Sequence, residues 1–377
     1  MACALVCRNW LQRSRALQFK SINLMHISDH RLSAFARLLR SPVATLAPHV
    51  RHISLELRIF HPGHRARTKL ARLASLVGIE ALRLDVDLEP RAVEVSVAGI
   101  TPFLQSLPLL RKVTFRSWRH DSAVQLRAIV CACPHLEELE LEDIWDLSVS
   151  QPGPLQLEEL APPPCLRTIK AADYAAAAHL FPWLLSILAP AAAITTLHLD
   201  VRTFIDGLSR PSCGLFLKAV ASSLEHLTVE NIAAYTKDFR RKEHFTSSSQ
   251  KLHQLNSASA QAQLHGDIDL GALVRLKTVA INNCTPVIIL AILNQISSPL
   301  IREISFIILS SKVSWQDMSH LSDLDEVLHR PNFAQLDVVE IRQSNPDTIL
   351  SDGWIQDKLP LLDARGIVHH QMVVMSP

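Results

Sequence analysis

A short pattern of apolar positions recurs along the chain: an apolar residue, two variable residues, a second apolar residue, one variable residue and a third apolar residue. A weaker copy consists of Leu166, Ile169 and Ala171. The complete copies are Val50/Ile53/Leu55, Ile79/Leu82/Leu84, Leu110/Val113/Phe115, Leu136/Leu139/Leu141, Ile194/Leu197/Leu199, Leu224/Leu227/Val229, Leu276/Val279/Ile281, Ile301/Ile304/Phe306 and Leu336/Val339/Ile341. One copy would occur by chance in a leucine-rich chain, whereas a series at regular spacing indicates a structural repeat.

The spacing of the copies identifies the kind of repeat. Their first apolar residues are separated by 29, 31, 26, 30, 28, 30, 52, 25 and 35 residues. Most of these intervals are close to the period of about 20–29 residues known for leucine-rich repeats. The interval of 52 residues corresponds to two units, and Leu252 and Leu255 lie where a degraded unit would fall. We therefore predict about ten uneven repeat units.

Each copy has the period of a short strand, because alternate residues of a strand point to opposite faces of a sheet. Between copies the sequence switches to helical spacing, with apolar residues at most of the spaced positions. Examples are Leu32/Phe35/Leu38/Leu39, Val124/Leu126/Ile129/Val130, Leu215/Lys218/Ala219 and Val287/Leu290/Ala291/Asn294. The predicted fold class is α/β, an irregular leucine-rich-repeat solenoid with parallel strands on the concave face, helices on the convex face and a short helical N-terminal cap.

A doubly wound α/β fold is the alternative, since it also alternates strands with helices. A sheet covered on both faces has strands that are continuous runs of Val and Ile. The strands predicted here carry polar residues in alternation with apolar ones. The polar alternation favours the solenoid.

The composition argues against functions that need phosphate-binding loops or a nucleic-acid partner. Hydrophobic residues make up 48% of the 377 residues and aromatic residues only 5%, which suits a stacked core of aliphatic side chains. The 10 glycines leave little material for loops that bind phosphates. With 38 Lys and Arg against 36 Asp and Glu, the formal charge of +2 gives no support for a nucleic-acid partner.

Catalytic and metal-binding motifs are not found in the sequence. It contains no nucleophile elbow, Walker loop, H-E-x-x-H helix or dinucleotide glycine fingerprint. The candidate ligand clusters, His61/His64, His369/His370 and Cys131/Cys133, each offer two donors where zinc takes four. The 7 cysteines lack C-x-x-C pairs, so we interpret them as reduced thiols, mostly buried. We expect no enzyme, no cofactor and no metal.

We expect an intracellular protein, cytoplasmic or nuclear, with no membrane partner. The apolar stretch 2–7 is shorter than the hydrophobic region of a secretory signal. The stretch 171–199 resembles a membrane span, but Asp173, His179, Pro182 and Pro190 interrupt it. A buried helix followed by a strand accounts for this stretch better.

The predicted concave face is where a partner would bind, because residues flanking the apolar strand positions point outward. An acidic ridge of Glu138, Glu140 and Glu142 lies between strands that bear Lys112, Arg116 and Lys170. Further along the chain, His198 and Asp200 occupy the same outward positions. The ridge is either a charge-patterned site for a protein partner or a set of charges that neighbouring strands neutralise.

The N-terminal segment resembles the second half of an F-box, as found in fungal F-box proteins with leucine-rich-repeat-like bodies. The matching residues are Ala4-Leu5-Val6-Cys7, Trp10, Arg13, Arg15 and Phe19, followed by a short strand at Ile22–Leu24. Later blocks also resemble that family, including Leu38–Pro42 with Pro48–Arg51, Leu328–Pro331, and Leu359-Pro360 with Arg365–Ile367.

The resemblance implies a substrate-recognition subunit of a cullin-RING ubiquitin ligase, which binds a Skp-type adaptor and presents a protein target on its repeats. Leu5, Val6, Cys7 and Trp10 would then contact the adaptor. The first half of the F-box, with its Leu-Pro start, is missing from the sequence. Two explanations stay open: the gene sequence is truncated, or the chain is an adaptor-independent binding scaffold that has lost its ligase connection.

These observations predict two domains. Residues 1–30 would form the partial F-box or N-terminal cap, in which Leu5, Val6 and Trp10 would cover the first repeat, since the end units of a solenoid need a cap. Residues 31–377 would form the repeat body. The charged and Ser/Gln-rich segment at about 239–263 is predicted to be a mobile insertion.

Overall fold

A computed structural model describes residues 8–41, 46–59, 70–71, 73, 75–88, 100–116, 123–142, 144, 161–172, 174–187, 194–205, 210–231, 268–308, 321–343 and 352–372. The strands are β1 Ser21–Leu24, β2 His52–Ile59, β3 Ala81–Leu88, β4 Lys112–Arg116, β5 Glu138–Glu142, β6 Thr168–Ala171, β7 Thr196–Asp200, β8 His226–Glu230, β9 Thr278–Asn282, β10 Glu303–Ile308, β11 Val338–Gln343 and β12 Val368–Met372. The helices are α1 Arg8–Phe19, α2 Asp29–Arg40, α3 Ala123–Cys131, α4 Tyr174–Ile187, α5 Arg202–Ile205, α6 Arg210–Val220, α7 Pro286–Gln295, α8 Leu321–Leu328, α9 Asp352–Lys358 and α10 Pro360–Ala364.

The order of the strands decides between the two predicted folds. All twelve strands lie in one sheet in their order along the chain. The neighbouring pairs from β1 to β5 and from β7 to β12 are parallel. A doubly wound sheet reverses its strand order at a switch point, and this sheet has no reversal. The predicted α/β solenoid is confirmed.

The chain forms two compact units, Met1–Lys170 with Ile187–Ala192, and Ala171–Ser186 with Ala193–Pro377. We call them unit 1 and unit 2. In unit 1 the inward residues of successive strands lie in register, so that Leu82, Val113 and Leu139 form one row of the core. All three are at most 1% exposed. Burying an aliphatic side chain of this kind contributes roughly 1.5–3 kcal/mol, which makes these rows the main source of the unit's stability.

Unit 2 has a core built in the same way, with helices supplying large side chains. Leu197, Leu227 and Val279 form an inward row of its sheet. Phe181 from α4 stacks on Phe216 from α6, with ring centroids 4.3 Å apart. The stretch predicted as a buried helix followed by a strand is confirmed as α4 and β7.

A strand occurs at every copy of the apolar pattern, and β1 occurs where the F-box-like segment predicts one. The strand β12 was not predicted, because its sequence Val-His-His-Gln-Met lacks the apolar alternation. The helix α6 occurs where the spacing Leu215/Lys218/Ala219 predicts one, but these residues lie on its exposed face: Leu215 is 61% exposed and Lys218 and Ala219 are also exposed, whereas Phe216 and Leu217 are buried. The degraded unit at Leu252 and the insertion at 239–263 lie outside the described residues.

Candidate functional site

The outward side chains of unit 1 form three rows that cross β2 to β5. Strand register places them opposite one another on the same face of the sheet. The rows are His52, Ala81, Lys112 and Glu138; Ser54, Arg83, Thr114 and Glu140; and Glu56, Asp85, Arg116 and Glu142. Because outward positions alternate with fully buried ones, each backbone position fixes the direction of its side chain.

Two lysines bridge the glutamates in the first two rows. Lys112 Nζ lies 2.8 Å from Glu138 Oε1 and 3.2 Å from Glu140 Oε2. Lys170, on β6, lies 2.8 Å from Glu138 Oε1 and 3.8 Å from Glu140 Oε1. The hydroxyl of Thr114 donates to Glu140 Oε2 at 2.9 Å. The four charged groups form a closed network in which every charge has two partners.

Two arginines, Arg83 and Arg116, pair with the third glutamate, Glu142. Arg83 Nη2 donates to Glu142 Oε2 at 2.9 Å, although the two residues lie two strands apart. Arg116 Nε lies 3.9 Å from the same oxygen. Asp85 lies directly across from Arg116 in the register. This end of the face is therefore also close to charge balance.

The protonation equilibria follow from these contacts. Burial alone favours the neutral carboxyl, but hydrogen bonds from Lys112 and Lys170 outweigh it and hold the pKa of Glu138 below its ordinary value. Burial is likewise overcome at Glu140, whose pKa is lowered by Thr114 and the two lysines. Burial also opposes the charge on Lys112, yet its two glutamate partners raise its pKa. Lys112, Glu138 and Glu140 are therefore charged at neutral pH.

The structure thus brings together the predicted residues Lys112, Arg116, Glu138, Glu140, Glu142 and Lys170 on one face. Of the two interpretations of the acidic ridge, neutralisation by neighbouring strands describes the contacts, since each glutamate has a cationic partner. A partner-binding role for these residues stays a prediction.

His198 and Asp200 lie in unit 2 on β7, and they differ in exposure. His198 Nε2 lies 2.8 Å from Glu230 Oε2, and its side chain is 22% exposed. Asp200 was predicted on the open face, and that placement is wrong, because the residue is 0% exposed. Its carboxylate accepts from the backbone N–H of Arg202 at 2.7 Å and from Arg202 Nε at 2.9 Å.

The residues predicted to bind an adaptor lie almost entirely outside the described part of the chain. Leu5, Val6 and Cys7 precede the first described residue. Trp10 lies in the first turn of α1, which runs over Arg8–Phe19. Their role therefore stays a prediction.

The candidate ligand clusters do not assemble a metal site in the described residues. No group of three His, Cys, Asp or Glu with suitable geometry occurs among them. Burial raises the pKa of the Cys131 thiol to about 11 and that of Cys133 to about 12, so neither is a thiolate at neutral pH. His369 and His370 are neighbours on β12 and point to opposite faces. His61 and His64 lie outside the described residues.

Charged residues at the starts of the strands form a row that was not predicted from the sequence. From β2 to β6 the residue directly before each strand carries a charge, and the signs alternate, whereas Lys20 before β1 has the same sign as Arg51 before β2. The members are Arg51, Glu80, Arg111, Glu137 and Arg167. From Glu80 onward, each member donates its backbone N–H to the backbone carbonyl of the member before it. Arg111 Nη1 donates to Glu137 Oε1 at 2.8 Å, and Arg51 Nε lies 3.2 Å from Glu80 Oε1. We call this set the pre-strand row. Its signal in the sequence is the residue after the first apolar position of each copy.

Comparison with known proteins gives a likeness to solved structures and no family. The sequence matches no protein-family model and no curated protein. Among solved structures, the chain is similar to the leucine-rich-repeat-containing protein LegL7 from Legionella pneumophila, with 13% identity and a TM-score of 0.43 over 77% of this chain and 81% of that one. The fold assignment rests on the strand order and register of the chain itself. Within its described residues, no helix has the length and apolar character needed to cross a membrane.

Proposed function

We propose that the chain is a binding scaffold that holds another protein on the outward face of its strands. The supporting observation is the set of three registered rows on β2 to β5, which present mostly polar and charged side chains at fixed positions. Side chains held by strand register present a pre-organised surface, which lowers the entropy lost on binding.

We further propose that the scaffold is the substrate-recognition subunit of a cullin-based ubiquitin ligase. The support is the resemblance of the ALVCRNW segment to the second half of an F-box, with Trp10 in the helix α1. In this role the chain has no active site of its own. It would bind a Skp-type adaptor through Leu5, Val6, Cys7 and Trp10 and a protein target through the repeat face.

The ligase role is tested by a pull-down with a purified Skp-type adaptor. The 377-residue chain is compared with a version that is extended at its N-terminus by the first half of an F-box. Adaptor capture that is lost in the variant Leu5→Asp/Val6→Asp supports the ligase role. Failure of both versions to bind would overturn it and leave the adaptor-independent scaffold as the function.

The role of the unit 1 face is tested separately with a target captured by the intact chain. The variant Glu138→Lys/Glu140→Lys reverses two charges at the centre of the face. Because like charges then meet Lys112 and Lys170, target capture should fall at least about tenfold if the face is the site. Unchanged capture by a variant whose circular dichroism matches the wild type would show that the glutamates serve the fold alone.

A further inference from the structure

The carboxyl ends of β7, β8 and β9 bring a group of polar side chains together in unit 2. Register places Glu230, the last residue of β8, opposite Asn282, the last residue of β9. Asn283 follows Asn282 directly, and His198 lies on β7 two residues before the strand ends. We call His198, Glu230, Asn282 and Asn283 the polar cluster.

The carboxylate of Glu230 joins the members of the polar cluster. Its Oε2 lies 2.8 Å from His198 Nε2, and its Oε1 accepts a long hydrogen bond from Asn283 Nδ2 at 3.5 Å. Asn283 is 7% exposed, so its amide is enclosed by the protein. The contact with Glu230 fixes which way this amide points, because the reverse orientation would direct its oxygen at a carboxylate.

Hydrogen-bond acceptors outnumber donors at this place. The side-chain oxygens of Asn282 and Asn283 are buried and have no hydrogen-bond partner in the described part of the chain. The same holds for the side-chain oxygen of Asn231, which follows Glu230. Buried polar atoms in folded proteins are normally satisfied, since they lose their hydrogen bonds to water on folding. Three unpartnered oxygens at the ends of two neighbouring strands therefore point to a ligand that is a donor or a cation.

The contact between His198 and Glu230 narrows the choice to a metal ion. Although the two atoms lie 2.8 Å apart, Nε2 has no hydrogen-bond partner, because the pair lacks the alignment that a hydrogen bond needs. Two atoms that bind one ion at about 2.1 Å, with a right angle between the bonds, lie roughly 3.0 Å apart. The separation and the poor alignment are those of two ligands of a shared ion.

Negative charge surrounds the polar cluster. Burial raises the pKa of the Cys284 thiol, and the charges of Asp200 and Glu230 raise it further, so both carboxylates act on the same buried atom. Arg202 is occupied by Asp200. Among the described residues, His198 is the basic side chain that contacts Glu230. A divalent cation would complete the charge balance here.

We propose that His198, Glu230, Asn282 and Asn283 bind one divalent metal ion of the Mn²⁺ type. Carboxylate and amide oxygens suit Mg²⁺, Ca²⁺ and Mn²⁺, and an imidazole ligand favours the transition metal among these three. Two of the four ligands are amides, so the site differs from the groups of three His, Cys, Asp or Glu described above. The ion would tie the ends of β7, β8 and β9 together, and this role is independent of the scaffold function.

The test is a titration of the full chain, freed of metal with EDTA, with Mn²⁺ alone. Binding is followed by the loss of the EPR signal of free Mn²⁺, and pulsed EPR then detects nitrogen coupling from a directly bound imidazole. We expect that coupling in the wild type and its loss in His198→Gln. Glu230→Gln should weaken Mn²⁺ binding by at least about tenfold, because the charged ligand is removed.

Matched variants separate the site from a general effect of charge. Glu56→Gln is the control for Glu230→Gln, since Glu56 contacts His26 at 2.7 Å in unit 1, and it should leave Mn²⁺ binding unchanged. Asn283→Asp sets a second carboxylate beside Glu230, so its unfolding temperature should fall without metal and recover when Mn²⁺ is added. Asn23→Asp, at an exposed position whose side-chain oxygen accepts from Met25, should show no such recovery.

Three results would overturn the proposal. The first is no Mn²⁺ binding by the wild type. The second is equal binding by the wild type, His198→Gln and Glu230→Gln, or binding without nitrogen coupling, because the ion would then lie elsewhere on the chain. The third is a loss of stability in Asn283→Asp that Mn²⁺ does not restore, which would indicate that water serves the amide oxygens. None of these results involves a protein partner, so each leaves the scaffold function intact.

Discussion

Asp200 and Arg202 form the most deeply buried ion pair in the described part of the chain, with exposures of 0% and 7%. Burial raises the pKa of Asp200, and the hydrogen bonds and charge of Arg202 oppose that rise. The same carboxylate accepts the backbone N–H of Arg202, the first residue of α5. Asp200 therefore combines the role of a counter-ion with that of an Asx-type acceptor for the first backbone N–H of α5.

Replacing Asp200 should destabilise the protein strongly. Asp200→Ala leaves the guanidinium of Arg202 buried without its counter-ion and removes the acceptor of the Arg202 backbone N–H, so we expect a loss of about 3–5 kcal/mol. The double variant Asp200→Ala/Arg202→Met removes both charges and should recover most of that loss. Urea unfolding followed by circular dichroism measures both values. A single variant as stable as the double variant would contradict the counter-ion role.

The misplacement of Asp200 has a physical reason that the sequence contains in part. Strand alternation assigns Asp200 to the outward face, since Leu197 and Leu199 are inward. Asp200 is buried because the chain turns into α5 immediately after the strand, and α5 closes over the carboxylate. An aspartate side chain often accepts the backbone N–H two residues later, where the chain turns. The four-residue helix is too short to be predicted from periodicity, so the sequence does not reveal this turn.

Among the structural elements, the pre-strand row shows how the order of the strands is specified. Its charges alternate from β2 to β6, so Glu80, Arg111 and Glu137 each meet an opposite charge at both neighbouring strand starts. If one of these strands were skipped, like charges would lie side by side. Unfavourable pairs of this kind penalise wrong pairings, while the correct pairings add only modest stability.

Reversing one charge in the middle of the row should make three cations adjacent. Glu137→Lys places a positive charge between Arg111 and Arg167, and we expect a destabilisation of about 1 kcal/mol at low salt. The effect should shrink in about 1 M salt, where charges are screened within about 3 Å. Glu137→Gln is the control, since it removes the attraction without adding repulsion. Equal losses for the two variants at both salt concentrations would rule out repulsion within the row.

At the scale of elements, the sequence predicts the strands better than the helices. A strand needs only two or three inward residues, and the repeated pattern identifies them, as Leu139 and Leu141 do for β5. The helix α6 shows the limit, because its buried face includes Cys213 and Phe216 while Leu215 points outward. Helical periodicity leaves the orientation of a short apolar helix ambiguous when several neighbouring positions are apolar.

For the whole molecule, the strand order could be predicted because repeat units pair with their sequence neighbours. For the outward face, the sequence predicts which residues point outward but not which of them contact one another. The sequence places Lys112, Lys170, Glu138 and Glu140 on one face, but their mutual pairing depends on the register between strands. The same holds in unit 2, where Thr228, Ala280 and Ser305 become neighbours only when their strands align.

The charge network of unit 1 should make the stability of the chain depend on pH in a specific way. Glu138 and Glu140 have pKa values below the ordinary 4.5, so they contribute stability above that pH and lose it as the pH falls through their folded values. Lys112 has a pKa above the ordinary 10.5, so its contribution is present below that pH and is lost as the pH rises further. The network is therefore fully stabilising between these two limits.

The variant Lys112→Met tests this window, because it removes one of the two lysines that both glutamates share. We expect it to unfold about 1 kcal/mol more easily than the wild type at about pH 7 and to match the wild type at about pH 2, where the glutamates are neutral. Lys218→Met removes an exposed lysine of α6 and should show no such pH-dependent difference. Urea unfolding at a series of pH values gives the comparison. A difference at about pH 2 as large as at about pH 7 would mean that Lys112 stabilises the face by the packing of its aliphatic chain rather than by its charge.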